Sequence, residues 1–268
     1  MRDDAITASQ PEAGLCLLQL ERPGRMNALD VPALQAAHAL LDRVLTDRKL
    51  RAIVLIGQGR GFCAGLDLKS LLDEEGRVRW TVEEAMELQR LFAGLMQRLH
   101  GSEIPVIAAV NGVAVGAGMA LALAADVRFA SPQAAFHVGA VKIGLSAGEC
   151  GISYHLPRLV GAGRAFEIML TGRAVDAAEA ERIGLVTQIV PEGQLLERAM
   201  DCARQVRALA PYSVARTKSV MWRNLDAPDL DSAVELENQV QVLGLMTADF
   251  AEAVQAFAQK RPPRFGQA

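Results

Sequence analysis

The sequence has few aromatic residues and no excess of positive charge, and both deficits argue against whole classes of function. Phe, Trp and Tyr together make up 4% of the 268 residues, too few for a surface on which nucleic-acid bases stack. The net charge is −3 at pH 7, so electrostatics does not draw the chain to nucleic acid or to an acidic membrane surface. We therefore expect neither a nucleic-acid partner nor a membrane partner.

The cysteines also lack the spacing of a metal site or a disulfide framework. No Cys-x-x-Cys pair occurs, and no histidine stands at metal-ligand spacing from a cysteine. The four are Cys16, Cys63, Cys150 and Cys202. This usage is typical of reduced thiols in a cytoplasmic protein and predicts no metal site. Residues 1–14 are acidic and have no apolar core, so we expect no secretory signal and a cytoplasmic location.

Apolar residues, by contrast, are plentiful. The composition is 51% hydrophobic and 22% charged, which is enough to bury a large core. Strand and helix patterns alternate up to a predicted strand at residues 185–190, and from Gly193 onward every pattern is helical. This order is typical of an α/β fold followed by a helical layer. We expect a core over residues 1–204 and a C-terminal helical region over residues 205–268.

The stretch at residues 105–126 organises the chain. It predicts a buried strand, a break at Asn111-Gly112 and a helix from Met119, with Gly116-Ala117-Gly118 between them. Because almost nothing protrudes from this turn, a ligand atom can touch the main chain at a helix N-terminus, where the dipole favours negative charge. A membrane span is disfavoured because a proline and three glycines interrupt the run, and a nucleotide loop because Lys-Ser/Thr is missing.

A second junction of the same kind lies earlier in the chain. The predicted strand at residues 52–56 leads through a glycine-rich loop into residues 62–68, where Gly65 again stands between strand and turn. Two such turns could direct backbone N–H groups at one oxygen. That geometry suits an acyl group whose carbonyl oxygen becomes an enolate or a tetrahedral oxyanion.

Several motifs, taken in order, resemble the crotonase, or enoyl-CoA hydratase/isomerase, superfamily. They are ERP and NAL within residues 21–29, FCAGLDL at 62–68, VNGVAVGAG at 110–118, LPRLVG at 156–161, LTGR at 170–173, AERIGLV at 180–186 and AFAQKR at 256–261. The resemblance implies an α/β spiral of ββα turns with a C-terminal helical oligomerisation region. It also implies an acyl-CoA thioester as ligand, no metal or redox cofactor, and a homotrimer or a dimer of trimers.

The resemblance assigns roles to individual residues. It makes the backbone N–H groups of Leu66 and Ala117 the two donors of an oxyanion hole. It places the CoA and acyl groups along Arg25, Met26, Ala28, Ala64, Gly65, Leu66, Asp67, Leu68 and Gly116. Phe257 and Lys260 would reach the CoA of a neighbouring subunit, with packing and helix capping as the alternative.

The chain departs from the family pattern at the catalytic acids. Typical hydratases use two glutamates to hold and deprotonate the added water, and this chain has Ala120 and Ala140 at those positions. The two-glutamate hydration mechanism therefore cannot be transferred. Glu149 matches the position where dienoyl-CoA isomerases, 3-hydroxyisobutyryl-CoA hydrolases and some dehalogenases carry a functional aspartate. We expect apolar surroundings to raise its pKa and Glu149 to act as the acid/base, unless it only decorates the helix that follows.

Other polar residues near this loop have weaker claims. We expect packing or turn roles for His137, Ser146, Cys150, Tyr154 and His155. The sequence thus predicts an enoyl-CoA hydratase/isomerase-like enzyme, a lyase or isomerase of acyl-CoA metabolism, that stabilises a thioester enolate. Two alternatives stay open: an acyl-CoA thioester hydrolase in which Glu149 activates water, and a catalytically inactive member that binds CoA thioesters or partner proteins.

Overall fold

The computed structural model describes residues 5–266, which form two β-sheets surrounded by helices. The strands are β1 (Ile6–Glu12), β2 (Leu15–Leu20), β3 (Ala52–Gly57), β4 (Gly61–Cys63), β5 (Val106–Val110), β6 (Val113–Val115), β7 (Val127–Ala130), β8 (Ala135–His137), β9 (Val175–Asp176) and β10 (Gln188–Ile189). The α-helices are α1 (Val31–Leu45), α2 (Val82–Gly101), α3 (Ala117–Leu123), α4 (Ile152–Val160), α5 (Ala162–Thr171), α6 (Ala177–Arg182), α7 (Leu195–Arg207), α8 (Pro211–Asn224), α9 (Leu230–Leu245) and α10 (Ala248–Ala258). Short 3-10 helices occur at Pro23–Arg25, Leu68–Leu71, Ala140–Ile143 and Glu192–Gln194.

The larger sheet has the strand order β1-β2-β3-β5-β7-β10. Its strands run parallel from β2 onward, and β1 pairs antiparallel with β2. Strand β5 is buried along its whole length, as expected of a parallel strand covered on both faces. The predicted α/β fold with a helical C-terminal region is therefore confirmed.

The smaller sheet, ordered β4-β6-β8-β9, determines where the two glycine turns lie. Strands β4 and β6 pair in parallel, with Cys63 opposite Ala114. Each of these strands runs directly into one of the turns. Because parallel neighbours end at the same edge of a sheet, the two turns emerge side by side.

Helix N-termini follow the sequence signals closely. The side chain of Asp30 accepts a hydrogen bond from the amide of Ala33 at 3.0 Å, and Thr81 and Glu84 form a reciprocal capping box at the start of α2. These bonds satisfy amides that have no acceptor within the helix. Asp30 and the Thr81-x-x-Glu84 pattern are the signals by which the sequence indicates these two helix starts.

Local expectations were wrong in three places. The predicted strand at residues 185–190 is only Gln188–Ile189, because the amides of Leu185 and Val186 donate to the Ala180 carbonyl of α6 rather than to the sheet. Helix α3 begins at Ala117, two residues before the predicted start. Residues 1–14, for which no strand was predicted, contain β1. This strand lies at the sheet edge and is largely exposed, so its sequence lacks the alternation of apolar and polar residues that would have indicated a strand.

The C-terminal helices divide between two roles. Helix α7 packs on β3 and β5 and supplies Leu195, Ala199 and Met200 to a core cluster on one face of the larger sheet. Helices α8, α9 and α10 follow it and pack on one another. Residue 205 lies inside α7, and the division at residues 204 and 205 stays a prediction. None of the helices within residues 5–266 is long and apolar enough to cross a membrane.

Candidate active site

The two glycine turns meet where Gly65 approaches the N-terminus of α3. A Cβ atom added to Gly65 would lie 2.5 Å from the Val115 carbonyl oxygen and 3.2 Å from the Ala117 amide nitrogen. Gly65 also has a φ of +79°, a backbone conformation that disfavours other residues. Any side chain at this position would therefore push the two turns apart.

Backbone hydrogen bonds around the turns leave specific amides facing this junction. Leu29 donates its amide to the Gly65 carbonyl at 2.8 Å, and Asp67 donates to the Leu29 carbonyl at 2.9 Å. These two bonds flank Leu66, so its own N–H is directed away from Leu29. Ala117 is the first residue of α3, and its N–H has no acceptor within the helix. Both amides are positioned to serve an outside acceptor.

Glu149 lies beside the same turn. A Cβ atom added to Gly116 would be 3.2 Å from the Glu149 carboxylate oxygen Oε1. The side chain is half-buried, and burial raises the pKa of its carboxyl group. The structure thus brings a carboxyl group with a raised pKa next to the residue that precedes Ala117.

The two alanines that the resemblance matches to the hydratase glutamates are both buried. Ala120 is completely inaccessible in the second turn of α3, and Ala140 is 5% exposed at the start of a 3-10 helix. Neither methyl group can hold or deprotonate a water molecule. Glu149, by contrast, places a carboxyl group at the Gly116 turn.

Residues around the first turn form a rim along its outer side. The Ala64 amide donates to the Met26 carbonyl at 2.9 Å, so the loop before α1 runs beside the turn. Arg25 pairs with Asp67 at 3.0 Å while its side chain stays 60% exposed. Asp67 also caps the 3-10 helix that follows by accepting from the Lys69 amide. The rim brings together the CoA-contact residues predicted at 25–28 and at 64–68.

Phe257 and Lys260 lie apart from this rim in sequence and in the fold. Phe257 belongs to α10, which packs on α9, and its side chain is 87% exposed. Lys260 follows the helix in a left-handed backbone conformation with a φ of +54°. Their contact with the CoA of a neighbouring subunit stays a prediction.

Two asparagines, of which Asn27 is buried and Asn111 half-buried, support the site, and sequence reasoning gave neither a role there. Asn27 is 1% exposed, and its side-chain amide donates to the carbonyls of Gln58 and Gly61 at 3.0 and 2.9 Å. Asn111 accepts from the Gly57 amide at 3.1 Å and donates to the Gly59 carbonyl at 2.7 Å. Both side chains therefore hold the loop that leads into β4. The asparagines within the NAL and VNG motifs were the available signal.

The remaining polar neighbours of Glu149 are inert or structural. Cys150 is buried and has a φ of +49°, and burial raises the pKa of its thiol to about 12. Gln89 on α2 reaches the Cys150 sulfur at 3.6 Å, which links α2 to the Glu149 loop. The carbonyl of His137 accepts from the Gly116 amide at 2.8 Å, so the His137 backbone helps to hold the second turn.

Known proteins resemble this chain over almost its whole length. A family model described as enoyl-CoA hydratase/isomerase matches residues 10–268. A probable enoyl-CoA hydratase of Mycobacterium leprae is 41% identical over 264 residues, covering 97% of this chain and 89% of the relative. A 1,2-epoxyphenylacetyl-CoA isomerase of Escherichia coli is 34% identical over 258 residues, covering 96% and 97%.

A solved structure gives the same result for the fold. The crystal structure of a putative enoyl-CoA hydratase of Streptomyces coelicolor A3(2) superposes with a TM-score of 0.92 at 36% identity, covering 100% of this chain and 96% of that one. Agreement in sequence, in fold and in the whole-length family match leads to one conclusion: the chain belongs to the enoyl-CoA hydratase/isomerase family.

Proposed function

We propose that this protein is an acyl-CoA isomerase in which one carboxyl group, that of Glu149, moves a proton along a thioester enolate. The observation that carries the proposal is the position of Glu149 Oε1 against Gly116, one residue before the Ala117 amide. A proton carrier and an anion-stabilising amide thus lie at the same turn. The burial that raises the pKa of Glu149 suits a group that must both take and return a proton near neutral pH.

The step balances with a single acid/base. Glu149 takes a proton from C2 of a 3-enoyl thioester, and the electron pair moves onto the thioester oxygen. The amides of Leu66 and Ala117 stabilise that oxygen as it becomes anionic. The protonated Glu149 then returns the proton at C4, which leaves the 2-enoyl thioester. No water, metal or redox cofactor enters this step, and CoA takes part only as the substrate's carrier.

Hydration is disfavoured by the two alanines. Adding water across a double bond needs a group that orients the water and a group that removes its proton, and neither Ala120 nor Ala140 can do so. The isomerase named among the relatives is 34% identical to this chain. Isomerisation therefore fits the site better than hydration does.

The substrate's CoA portion is proposed to lie along the rim around the first turn. Arg25 is exposed enough to meet a phosphate, and Leu68 presents an apolar side chain that is 47% exposed. Exposed apolar side chains on α9 and α10, among them Leu243 and Phe257, support a homotrimer or a dimer of trimers. Sedimentation of the purified protein tests the assembly directly.

The experiment is a matched assay on 3-enoyl-CoA, 2-enoyl-CoA and saturated acyl-CoA of several chain lengths. With 3-enoyl-CoA, we expect the absorbance of the 2-enoyl band to increase. With 2-enoyl-CoA, that absorbance should not decrease, and no substrate should release free thiol. Loss of the 2-enoyl band would mean hydration and would overturn the proposal. Release of free thiol would support the hydrolase alternative instead, and CoA binding without any turnover would support the inactive one.

A further inference from the structure

A cluster of four rings, of which His155 is buried and the others are half-buried, links the loop that carries Glu149 to helix α8. Its members, which we call the His155 cluster, are His100 on α2, Tyr154 and His155 on α4, and Trp222 on α8. The ring centroids of His100 and His155 are 4.8 Å apart, and those of His100 and Trp222 are 4.4 Å apart. The proposed reaction uses none of these groups.

The ring of His155 lies directly beneath the end of the Glu149 loop. Helix α4 begins after Gly151, whose carbonyl accepts from the His155 amide at 2.9 Å, and the Ile152 amide donates to the Glu149 carbonyl at 2.8 Å. A Cβ atom added to Gly151 would lie 3.4 Å from His155 Cδ2. His155 is 4% exposed. Its ring therefore supports the backbone two residues after Glu149.

The cluster is suited to a neutral imidazole. The Nδ1 atoms of His100 and His155 are buried and have no hydrogen-bond partner within the described part of the chain. The charged groups that face the cluster are Lys218 on α8, Arg128 on β7, Arg158 on α4, Asp126 before β7 and Asp226 after α8. Lys218 pairs with Asp126, and Arg158 pairs with Asp226. Both carboxylates are thus already engaged by other cations.

We propose that neutral His155 is a positioning residue for Glu149, and that a proton on its ring withdraws the support beneath Gly151. The inference rests on the proposed catalytic role of Glu149. A charged ring at this place would be buried beside His100, Arg128 and Arg158 without a free carboxylate to balance it. The strain is relieved by moving the start of α4, which carries the Glu149 carboxyl group away from Gly116.

The pH window follows from the direction of the shift. Burial, followed by the nearby His100, Arg128 and Arg158, lowers the pKa of His155 from 6.5 to about 4. The unfolded chain therefore binds a proton over a range in which the folded chain does not. Above the ordinary histidine pKa of 6.5, His155 does not reduce the free energy of unfolding. As the pH falls from there toward 4, protonation of the unfolded chain lowers that free energy. At acid pH, kcat should therefore fall more steeply with decreasing pH than the protonation of one carboxyl group allows.

The test is kcat as a function of pH for the wild type, His155→Phe, His155→Ala and Tyr154→Phe. Phe keeps a ring beneath Gly151 but cannot bind a proton. The acid limb, which is the fall of kcat at low pH, should therefore fit a single protonation, and kcat at pH 7 should be retained. His155→Ala removes the support and should lower kcat at pH 7 by about tenfold or more, with KM unchanged, because small displacements of a catalytic group are costly. Tyr154→Phe removes the hydroxyl group that donates to Asp226 but keeps both its own ring and His155, so the second titration should remain.

A spectroscopic readout keeps the test independent of folding of the variants. The NMR resonance of a ring proton of His155, assigned among the four histidines, should titrate well below the ordinary histidine pKa. Its midpoint should coincide with the second protonation seen in the fall of kcat at acid pH. A His155 resonance that titrates near 6.5, or a His155→Phe limb identical to that of the wild type, overturns the inference alone. Full activity of Glu149→Gln would instead overturn the proposed function, and the inference with it.

Discussion

At the residue scale, the burial of Glu149 has a cost in stability beside the catalytic use proposed for it. Its carboxyl group is half-buried and burial alone shifts its pKa upward, so the folded state favours the protonated form. The carboxylate therefore destabilises the fold as the pH rises through its raised pKa. Catalytic groups are often held in such surroundings because they must exchange protons near the working pH.

The substitution Glu149→Gln separates these two effects. We expect kcat for isomerisation to fall by about 10²- to 10⁴-fold, because the proton carrier is lost. The melting temperature at pH 8 should rise, because an amide has no charge to desolvate. Thermal unfolding and an enoyl-band assay measure both on one sample. Glu192→Gln, at an exposed position, is the control, and a fully active Glu149→Gln would contradict the proposed role.

Gly65 shows how little room the junction leaves. In Gly65→Ala the new methyl group would meet the Val115 carbonyl and the Ala117 amide, and φ at this residue is +79°. We expect a loss of about 1–2 kcal/mol in the free energy of unfolding from the backbone conformation alone. Displacing one oxyanion donor should also lower kcat by about 10²-fold or more.

The matched control for Gly65→Ala is Gly163→Ala. Gly163 lies within α5, and a Cβ atom there would meet nothing within 4 Å. This change should stabilise the protein by up to about 1 kcal/mol, because alanine is the better helix former. Urea unfolding and initial rates of the two variants settle the comparison. Equal effects of the two substitutions would mean that the Gly65 junction is unimportant.

At the scale of elements, the loop between β3 and β4 depends on side chains from other elements. Asn111, after β5, holds this loop through the Gly57 amide and the Gly59 carbonyl. In Asn111→Ala both backbone groups lose their partner, and we expect a cost of about 1–3 kcal/mol in the free energy of unfolding. Activity should fall as well, because the loop leads into the first turn. Asn238→Ala, at an exposed position on α9, is the control, measured by the same unfolding assay.

At the scale of the whole molecule, a buried ion pair joins α8 to the α/β core. Lys218 pairs with Asp126 at 2.9 Å, and their side chains are 6% and 17% exposed. The Lys218 ammonium also donates to the carbonyls of Leu99 and Ile104, and the Trp222 indole donates to Asp126 at 2.9 Å. The C-terminal helices are therefore attached to the core by a desolvated charge pair.

Removing one member of the Lys218–Asp126 pair should weaken the attachment of α8 to the core. We expect Lys218→Met to lower the free energy of unfolding by about 3 kcal/mol or more, because Asp126 is left without its cation. Lys49→Met, at an exposed site, should have an effect close to zero. Circular dichroism during urea unfolding measures both. If Lys218→Met were as stable as the control, the ion pair would not be what attaches α8.

The sequence predicted those features that depend on local chemistry. Helix starts were readable because Asp30, Thr81 and Glu84 act on amides within their own first turn. The buried parallel strands were readable because a strand covered on both faces must be continuously apolar. Strand β1 and the shortened β10 could not be read. The first is an exposed edge strand, and the two residues expected to begin the second, Leu185 and Val186, bond to the Ala180 carbonyl instead.

What the sequence determined by itself is therefore the α/β class, the family and the two glycine turns, since each depends on residue types at fixed spacing along the chain. Only the tertiary structure decided that Gly65 touches Ala117, that Glu149 lies against Gly116 and that His155 supports Gly151. Those contacts join segments from different elements. Their distances are set by the pairing of β4 with β6 and by the packing of α4, and no local pattern records them.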